Sequence, residues 1–328
     1  MTASLLRCAL LATALSLPGL CFAQASNTDR VISLVVPYPA GGPSDLSARS
    51  ALAVLQRELK QTIIVENIGG AGGTIGIKKV LAGSADGRQI IVGTPSETVL
   101  APLALAVATH KPADLRMVAQ LSYTRMVLVS RHDLGIKNFS ALAATMRDPS
   151  KRELSYGSFG IGSVAHFMFE DLKAQTGARL THVPYKGTGP MIQDLMGSQI
   201  DLGFVPLIGN VLEMIRTGKL YPLMLTDNVR NPKLPDVPAA AEFKELKGGF
   251  DYTIWGGMFV PKATPEPEVA RLSAAMNAVL RDPDYRKMTE DSGATVSHAQ
   301  TLEQAAALYR AEAEKYRRIA TTIKLEPQ

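Results

Sequence analysis

The chain has 328 residues, 46% of them hydrophobic, with 35 Lys and Arg against 30 Asp and Glu and a formal charge of +5. The opposite charges are interspersed and no dense basic run alternates with aromatics, so no nucleic-acid partner is expected. Two cysteines, Cys8 and Cys21, build no disulfide scaffold, and no later run approaches the roughly 20 apolar residues of a membrane span.

Met1–Ala23 carries one cation, Arg7, then the apolar run Cys8–Leu17, then Pro18-Gly19 and the small-residue end Cys21-Phe22-Ala23. This is the pattern of an export signal cleaved after Ala23, and it places the mature chain outside the cytoplasm. Both cysteines leave with it, and the formal charge falls by one, from +5 to +4, with Arg7. Lipidation of Cys21 is the alternative, which the bulky Leu20 before it disfavours. The remaining length suits two lobes at about 100 to 200 residues per domain.

Ile32–Val36 reads as a short buried strand ended by Pro37 and Pro39. Gly41 and Gly42 leave amides approachable, Ser44 or Asp45 caps a helix running from Leu46 to about Leu59, and that N-terminus attracts negative charge. A second unit follows, with strand Ile63–Asn67, loop Gly69–Gly73 and a helix from Thr74. A third has strand Gln89–Gly93, loop Thr94-Pro95-Ser96-Glu97 and another helical stretch. Three such units imply a parallel sheet whose strand ends gather on one ligand-binding edge.

Past the strand Met126–Ser130, Leu154–Gly157 leads into the loop Ser158-Phe159-Gly160-Ile161-Gly162-Ser163 and a helix from Val164 to about Gln175. Here serine hydroxyls and open glycine amides suit a carboxylate. Thr181–Lys186 and Ile200–Val205 are further strands, and Leu220–Thr226 carries the chain back to the first lobe. Asn228–Pro238, with three prolines, reads as a rigid connector. Thr264-Pro265-Glu266 starts one helix, with Thr264 as its cap, and Thr301 with Gln304 offers a capping box for the last.

Catalysis is not indicated. Gly160-x-Gly162-x-x-Ala165 matches a relaxed dinucleotide fingerprint, but His182–Lys186 stands where a ribose-binding acid belongs. Hydrolase and metalloprotease signatures are missing, and His110, His132, His166, His182 and His298 lack ligand spacing. Neither cofactor nor metal is expected. Phe259 reads as core, Trp255 as core or cleft, and Tyr185, at a strand end, as cleft.

Five segments in order, Val36–Asp45, Val65–Gly73, Tyr156–Ser163, His182–Gly187 and Pro235–Pro238, resemble the Bug solute receptors of the tripartite tricarboxylate transporter system. The resemblance spans nearly the whole mature chain. It implies an α/β fold of two lobes joined by crossing hinge strands, the type II periplasmic binding architecture. The lobes would be residues 27–124 with 227–328, and 125–226. It also implies periplasmic capture of a small carboxylate and delivery to membrane transporter subunits, by a monomer with no enzymatic activity.

On the same resemblance, Tyr38, Pro39, Ala40, Gly41, Gly42 and Ser44, with Thr94, Ser96 and Glu97, hold one end of the ligand. Ser158, Phe159, Gly162, Ser163, Tyr185 and Pro206 face them from the second lobe. Two residues depart from the family pattern. Phe159 stands where a small residue is usual and would narrow the cleft or stack on a ring. Glu97 would repel a second carboxylate and pair with an ammonium, unless it points to solvent. An amino-bearing or aromatic monocarboxylate is therefore expected ahead of a tricarboxylate. A sensory module, or less readily an exported enzyme using the same cleft, is the rival reading.

Overall fold

Successive residues of a strand face opposite sides of a sheet, and the first strand shows what this does here. In β1 (Ile32–Val36), Ile32, Leu34 and Val36 enter one apolar core while Val35 enters another, all fully buried. The computed structural model describes residues 31–246, 249–323 and 327. The expected export signal and both cysteines lie outside them.

After β1 come α1 (Pro43–Leu59), β2 (Ile63–Asn67), α2 (Thr74–Ala82), β3 (Gln89–Gly93), a widened π-type turn at Ser96–Leu100, and the short α3 (Ala101–Ala104). β1 lies between β2 and β3, parallel to both, so the three expected strand-loop-helix units do open on one edge. α1 begins earlier than the sequence implies. Gly42 is the N-cap, Pro43 occupies the first turn, and neither Ser44 nor Asp45 caps the helix.

β4 (Leu115–Arg131) is 17 residues long, where only Met126–Ser130 stands out in the sequence. At about 3.3 Å per residue it is long enough to serve two lobes. Its first part, Leu115–Arg125, pairs antiparallel with β9 (Thr253–Pro261); its second, Met126–Arg131, pairs with β7 (Leu202–Pro206) and β8 (Leu220–Leu225). β9 also pairs with β3, giving a continuous order β2-β1-β3-β9-β4-β7-β5-β6. The second lobe comprises α4 (Phe139–Arg147), β5 (Leu154–Ser158), α5 (Val164–Thr176), β6 (Leu180–Pro184), α6 (Thr188–Met196), β7, α7 (Gly209–Arg216) and β8.

Beyond β8 the chain does not return at once. Leu225 bridges Ala239, Phe243 packs on Phe139 of α4 at 4.6 Å, Phe250 on Phe204 of β7 at 5.6 Å, and Tyr252 donates to Asp171 of α5 at 2.7 Å. These contacts set Ala239, Phe243, Phe250 and Tyr252 against second-lobe elements, within the 227–328 stretch that the sequence assigns to the first. The reason is apolar: Phe243 and Phe250 find their partners there.

The first lobe is completed by β9, α8 (Glu266–Arg281), α9 (Pro283–Asp291) and β10 (Thr295–Val296). Pro265 rather than Thr264 is the N-cap of α8, and the Thr264 hydroxyl is buried without a partner among the described residues. The final helix, α10 (Leu302–Thr322), has the expected box: Thr301 N donates to Gln304 Oε1 at 2.9 Å and Gln304 N to Thr301 Oγ1 at 3.2 Å. It spans both lobes, with Tyr309 packed on Phe259 of β9 and Tyr316 on Phe167 of α5. Trp255 is 2% exposed and donates to Glu312 of α10 at 3.1 Å, so it belongs to the core.

Two cores result. One lies between the first-lobe sheet and α1 and α8; the other starts on the sheet's opposite face and continues through α10 into the second lobe. No helix among the described residues is long and apolar enough to cross a membrane.

Candidate ligand-binding site

The loop from β1 to α1 is held from below by a carboxylate. Asp45, 2% exposed, accepts from Gly41 N at 2.8 Å, Asn67 Nδ2 at 3.0 Å and Arg49 Nε at 3.0 Å. Burial pushes its pKa upward, but Arg49, the Gly41 amide and Asn67 outweigh that and hold it below the ordinary value. Asn67 Nδ2 also donates to Tyr38 O at 3.1 Å, which fixes the loop's entry. The Gly41 amide is therefore engaged, not free for a ligand as the sequence implies. What the loop offers is the exposed backbone of Pro39, Ala40 and Gly41. It adds the amides of Ser44 and Asp45, which have no acceptor within α1.

Beside it, the loop after β3 folds around Glu97. Its carboxylate accepts from Thr94 N, from Thr94 Oγ1 at 2.7 Å and from the Tyr38 hydroxyl, and it is fully buried. Two glycines make the space. A Cβ at Gly93 would lie 2.8 Å from Glu97 Oε1, and one at Gly73, where φ is +89°, only 2.5 Å from Glu97 Cβ. Burial pushes the Glu97 pKa up to about 7. Burial first, and Glu97 second, push the Tyr38 phenol well above its ordinary value. Glu97 therefore points neither to solvent nor openly into the cleft. The same turn is anchored by His110 Nε2 to Glu97 O at 2.8 Å and by Tyr309 Oη to Thr98 O at 3.0 Å.

The facing loop uses neutral rings. Phe169, Tyr156, His182 and His166 form one stack, with successive centroids 4.1, 4.8 and 4.3 Å apart. Burial, then the neighbouring His166, push His182 down to about 4, and burial lowers His166 too. His166 Nδ1, unprotonated, accepts from Gly162 N at 3.2 Å. Ser158, fully buried, lies 2.7 Å from His182 Nε2 and accepts from Gly160 N at 3.2 Å. Ser163 caps α5, accepting from His166 N at 3.4 Å. Ser158 and the Gly160 and Gly162 amides thus serve the loop itself. Phe159 is 7% exposed and packed in the core.

The lobes meet at these two loops. Val164 N, the first amide of α5, donates to Ser96 Oγ at 3.2 Å. Gly162 fits against Ala101 and Ala104, and Gly72 against the Ile161 carbonyl. Tyr185 N donates to Ser158 O at 2.9 Å and its hydroxyl to Asp194 at 2.7 Å, with the side chain half-buried. The expected residues therefore form one chain of contacts: Tyr38 to Thr94, Ser96 and Glu97, across to Val164 and Ser163, then Ser158 and Tyr185. Pro206 stands apart, buried in the sheet opposite Met126. Sequence reasoning missed Asn67, Arg49, His166 and the Val164 amide; an acid four residues after Gly41, and a histidine four after Gly162, were the available signals. The described residues contain no cluster of ligands suited to a metal ion.

A profile of the tripartite tricarboxylate transporter family receptor matches residues 47–325. Among solved structures, the periplasmic binding protein BugD is 31% identical with a TM-score of 0.80, covering 91% of this chain and 99% of its own. MatC of Rhodopseudomonas palustris, with bound malate, is 31% identical with a TM-score of 0.80 and covers 88% and 98%. A second R. palustris protein, with adipate, is 27% identical with a TM-score of 0.82 and covers 93% and 100%. The chain therefore belongs to the tripartite tricarboxylate transporter receptor family and has the two-lobed periplasmic binding fold of its Bug-type members.

Proposed function

We propose that this receptor is exported through its first 23 residues, captures a small carboxylate between its lobes, and hands it unchanged to a membrane transporter. The observation that carries the reading is the seam at Ser96 and Val164. There a first-lobe hydroxyl sits on the N-terminus of α5, an end that attracts negative charge. On the first lobe, the Ala40 amide in the exposed loop and the Ser44 and Asp45 amides supply a second set of donors. A carboxylate taking the place of Ser96 Oγ at the α5 amides would bind both lobes at once. Malate and adipate in the R. palustris relatives support small carboxylates as the class.

The two residues behind the narrower preference for amino-bearing or aromatic monocarboxylates are both engaged elsewhere. Glu97 is committed to Thr94 and Tyr38, and Phe159 is packed away. Titration calorimetry against malate, adipate, citrate, benzoate and glutamate tests class and preference together. At least one acid is expected to bind one-to-one, and silence from all five would overturn the reading. X-ray scattering on the same samples is expected to show a monomer that contracts with bound acid; unchanged dimensions would count against capture by closure.

A further inference from the structure

Glu97 is an acid enclosed by a site meant for anions, and the contacts around it come from five places in the chain. Tyr38 reaches it from the β1–α1 loop, and Thr94 from its own loop. Gly73, at the start of α2, abuts its Cβ, while Tyr309 of α10 bonds the adjacent Thr98 carbonyl. His110 holds its backbone carbonyl through Nε2, with Nδ1 unpartnered, and is kept neutral mainly by burial; Lys78 and Asp114 act on His110. No salt bridge to Glu97 is found among the described residues, and the groups facing its carboxylate are the Thr94 and Tyr38 hydroxyls and the amides of Thr94 and Glu97 itself. An ionised Glu97 is thus stabilised by hydrogen bonds alone.

The same carboxylate determines where Ser96 points. Thr94, whose amide and hydroxyl it holds, accepts from Ser96 N at 3.2 Å through that same hydroxyl, and Ser96 Oγ then meets Val164 N in the other lobe. Ser96 also interacts with the Tyr38 hydroxyl.

Resting on the carboxylate-capture reading, we propose that Glu97 is a positioning residue. It latches the Tyr38 loop to the Thr94–Ser96 loop, and the seam closes on an anionic solute with net proton uptake by Glu97. A ligand carboxylate at the α5 amides adds negative charge beside a poorly compensated acid, in surroundings where such charges are weakly screened. Binding therefore favours the protonated acid, and by linkage low pH favours binding. Glu97's own ionisation, shifted by burial to about 7, sets the range in which this operates.

The experiment is titration calorimetry of the full mature chain with malate and adipate between pH 6 and pH 8.5, each in two buffers of different ionisation enthalpy. For wild type, affinity is expected to fall about fivefold across this range, as a displacement of nearly one pKa unit requires, with net proton uptake. Glu97→Gln should bind with an affinity nearly independent of pH and no such uptake. A flat wild-type profile, or the same slope in both proteins, overturns this proposal while leaving carboxylate capture standing. Failure of wild type to bind any acid of the wider panel overturns both. If Glu97→Gln does not fold, the wild-type proton count decides alone. Tyr38→Phe, which removes one latch donor, should then weaken binding at every pH; unaltered binding would overturn the latch.

Discussion

The loop after β3 and the loop after β5 are two solutions to one problem, holding an open strand-to-helix turn still beneath the proposed binding cleft. The first is pinned by an enclosed acid whose pKa burial raises to about 7; the second rests on a stack of rings that burial keeps neutral, with His182 lowered to about 4. An acid accepts several donors at once and so gathers Thr94 and Tyr38 onto one point. Neutral imidazole accepts one bond and presents a flat face, so His166 and His182 brace the Gly162 amide and Ser158 singly while stacking spreads the load. The first lobe's rigidity is electrostatic and titratable near neutrality, and the second lobe's is steric and changes in acid.

The comparison breaks most sharply at a glycine beside each device, Gly73 against Glu97 and Gly157 on β5 between the stacked Tyr156 and Ser158. Gly73→Ala combines positive φ with a Cβ placed 2.5 Å from Glu97 Cβ, and should cost about 3 kcal/mol in chemical denaturation. In Gly157→Ala the nearest atoms belong to the Ile200 and Met191 side chains, which can shift, and the cost should be about 1 kcal/mol. Equal losses would mean that the acid loop is no more tightly built than the ring loop.

Next in size are opposite pH responses. The folded state raises Glu97 from 4.5 to about 7, so its contribution to stability is complete below 4.5 and is lost as pH rises through about 7. His182 is lowered from 6.5 to about 4, so its contribution is present above 6.5 and is lost as pH falls toward 4. Melting curves from pH 4 to pH 8.5 should show Glu97→Gln gaining on wild type at the alkaline end by about 2 kcal/mol. His182→Phe should flatten the acid limb by about 1 kcal/mol, the partial exposure of the ring reducing the effect. Parallel curves for the variants and wild type would remove the contrast. The smallest effect is at the seam: Ser96→Ala leaves the Val164 amide without its partner and should cost about 1 kcal/mol.

What the sequence disclosed of this site follows the range of each interaction. β1, the turn glycines and the Thr301–Gln304 box are local patterns, and each stands as its spacing implies. The length of β4 was hidden because Gln120, Ser122 and Thr124 interrupt its apolar run, although pairing with β9 carries the strand through them. Glu97 misled for the opposite reason. A charged residue in a loop is ordinarily exposed. What encloses this one is Tyr38, Gly73 and Gly93, of which only Gly93 lies nearby in the chain. Gly41 was half legible, since its φ of +82° is as a tight turn demands, while its bond to Asp45 depended on where α1 begins.

α10 gives the motion between lobes a preferred fault line. A helix of 21 residues is a rod of about 30 Å, too stiff to bend with a hinge, so domain opening must slip along one of its ends. At the first-lobe end, Tyr309 is tied to Thr98 and Glu312 to Trp255. At the other, Tyr316 lies against Phe167 and Tyr252 with its hydroxyl unbonded among the described residues. One polar contact ties that end, Lys315 Nζ donating to the Asp251 carbonyl at 2.9 Å, and the rest of it is aromatic packing. In the proposed closure the helix would travel with the first lobe as a lever arm, its tip moving over the aromatic faces of the second once Lys315 releases Asp251.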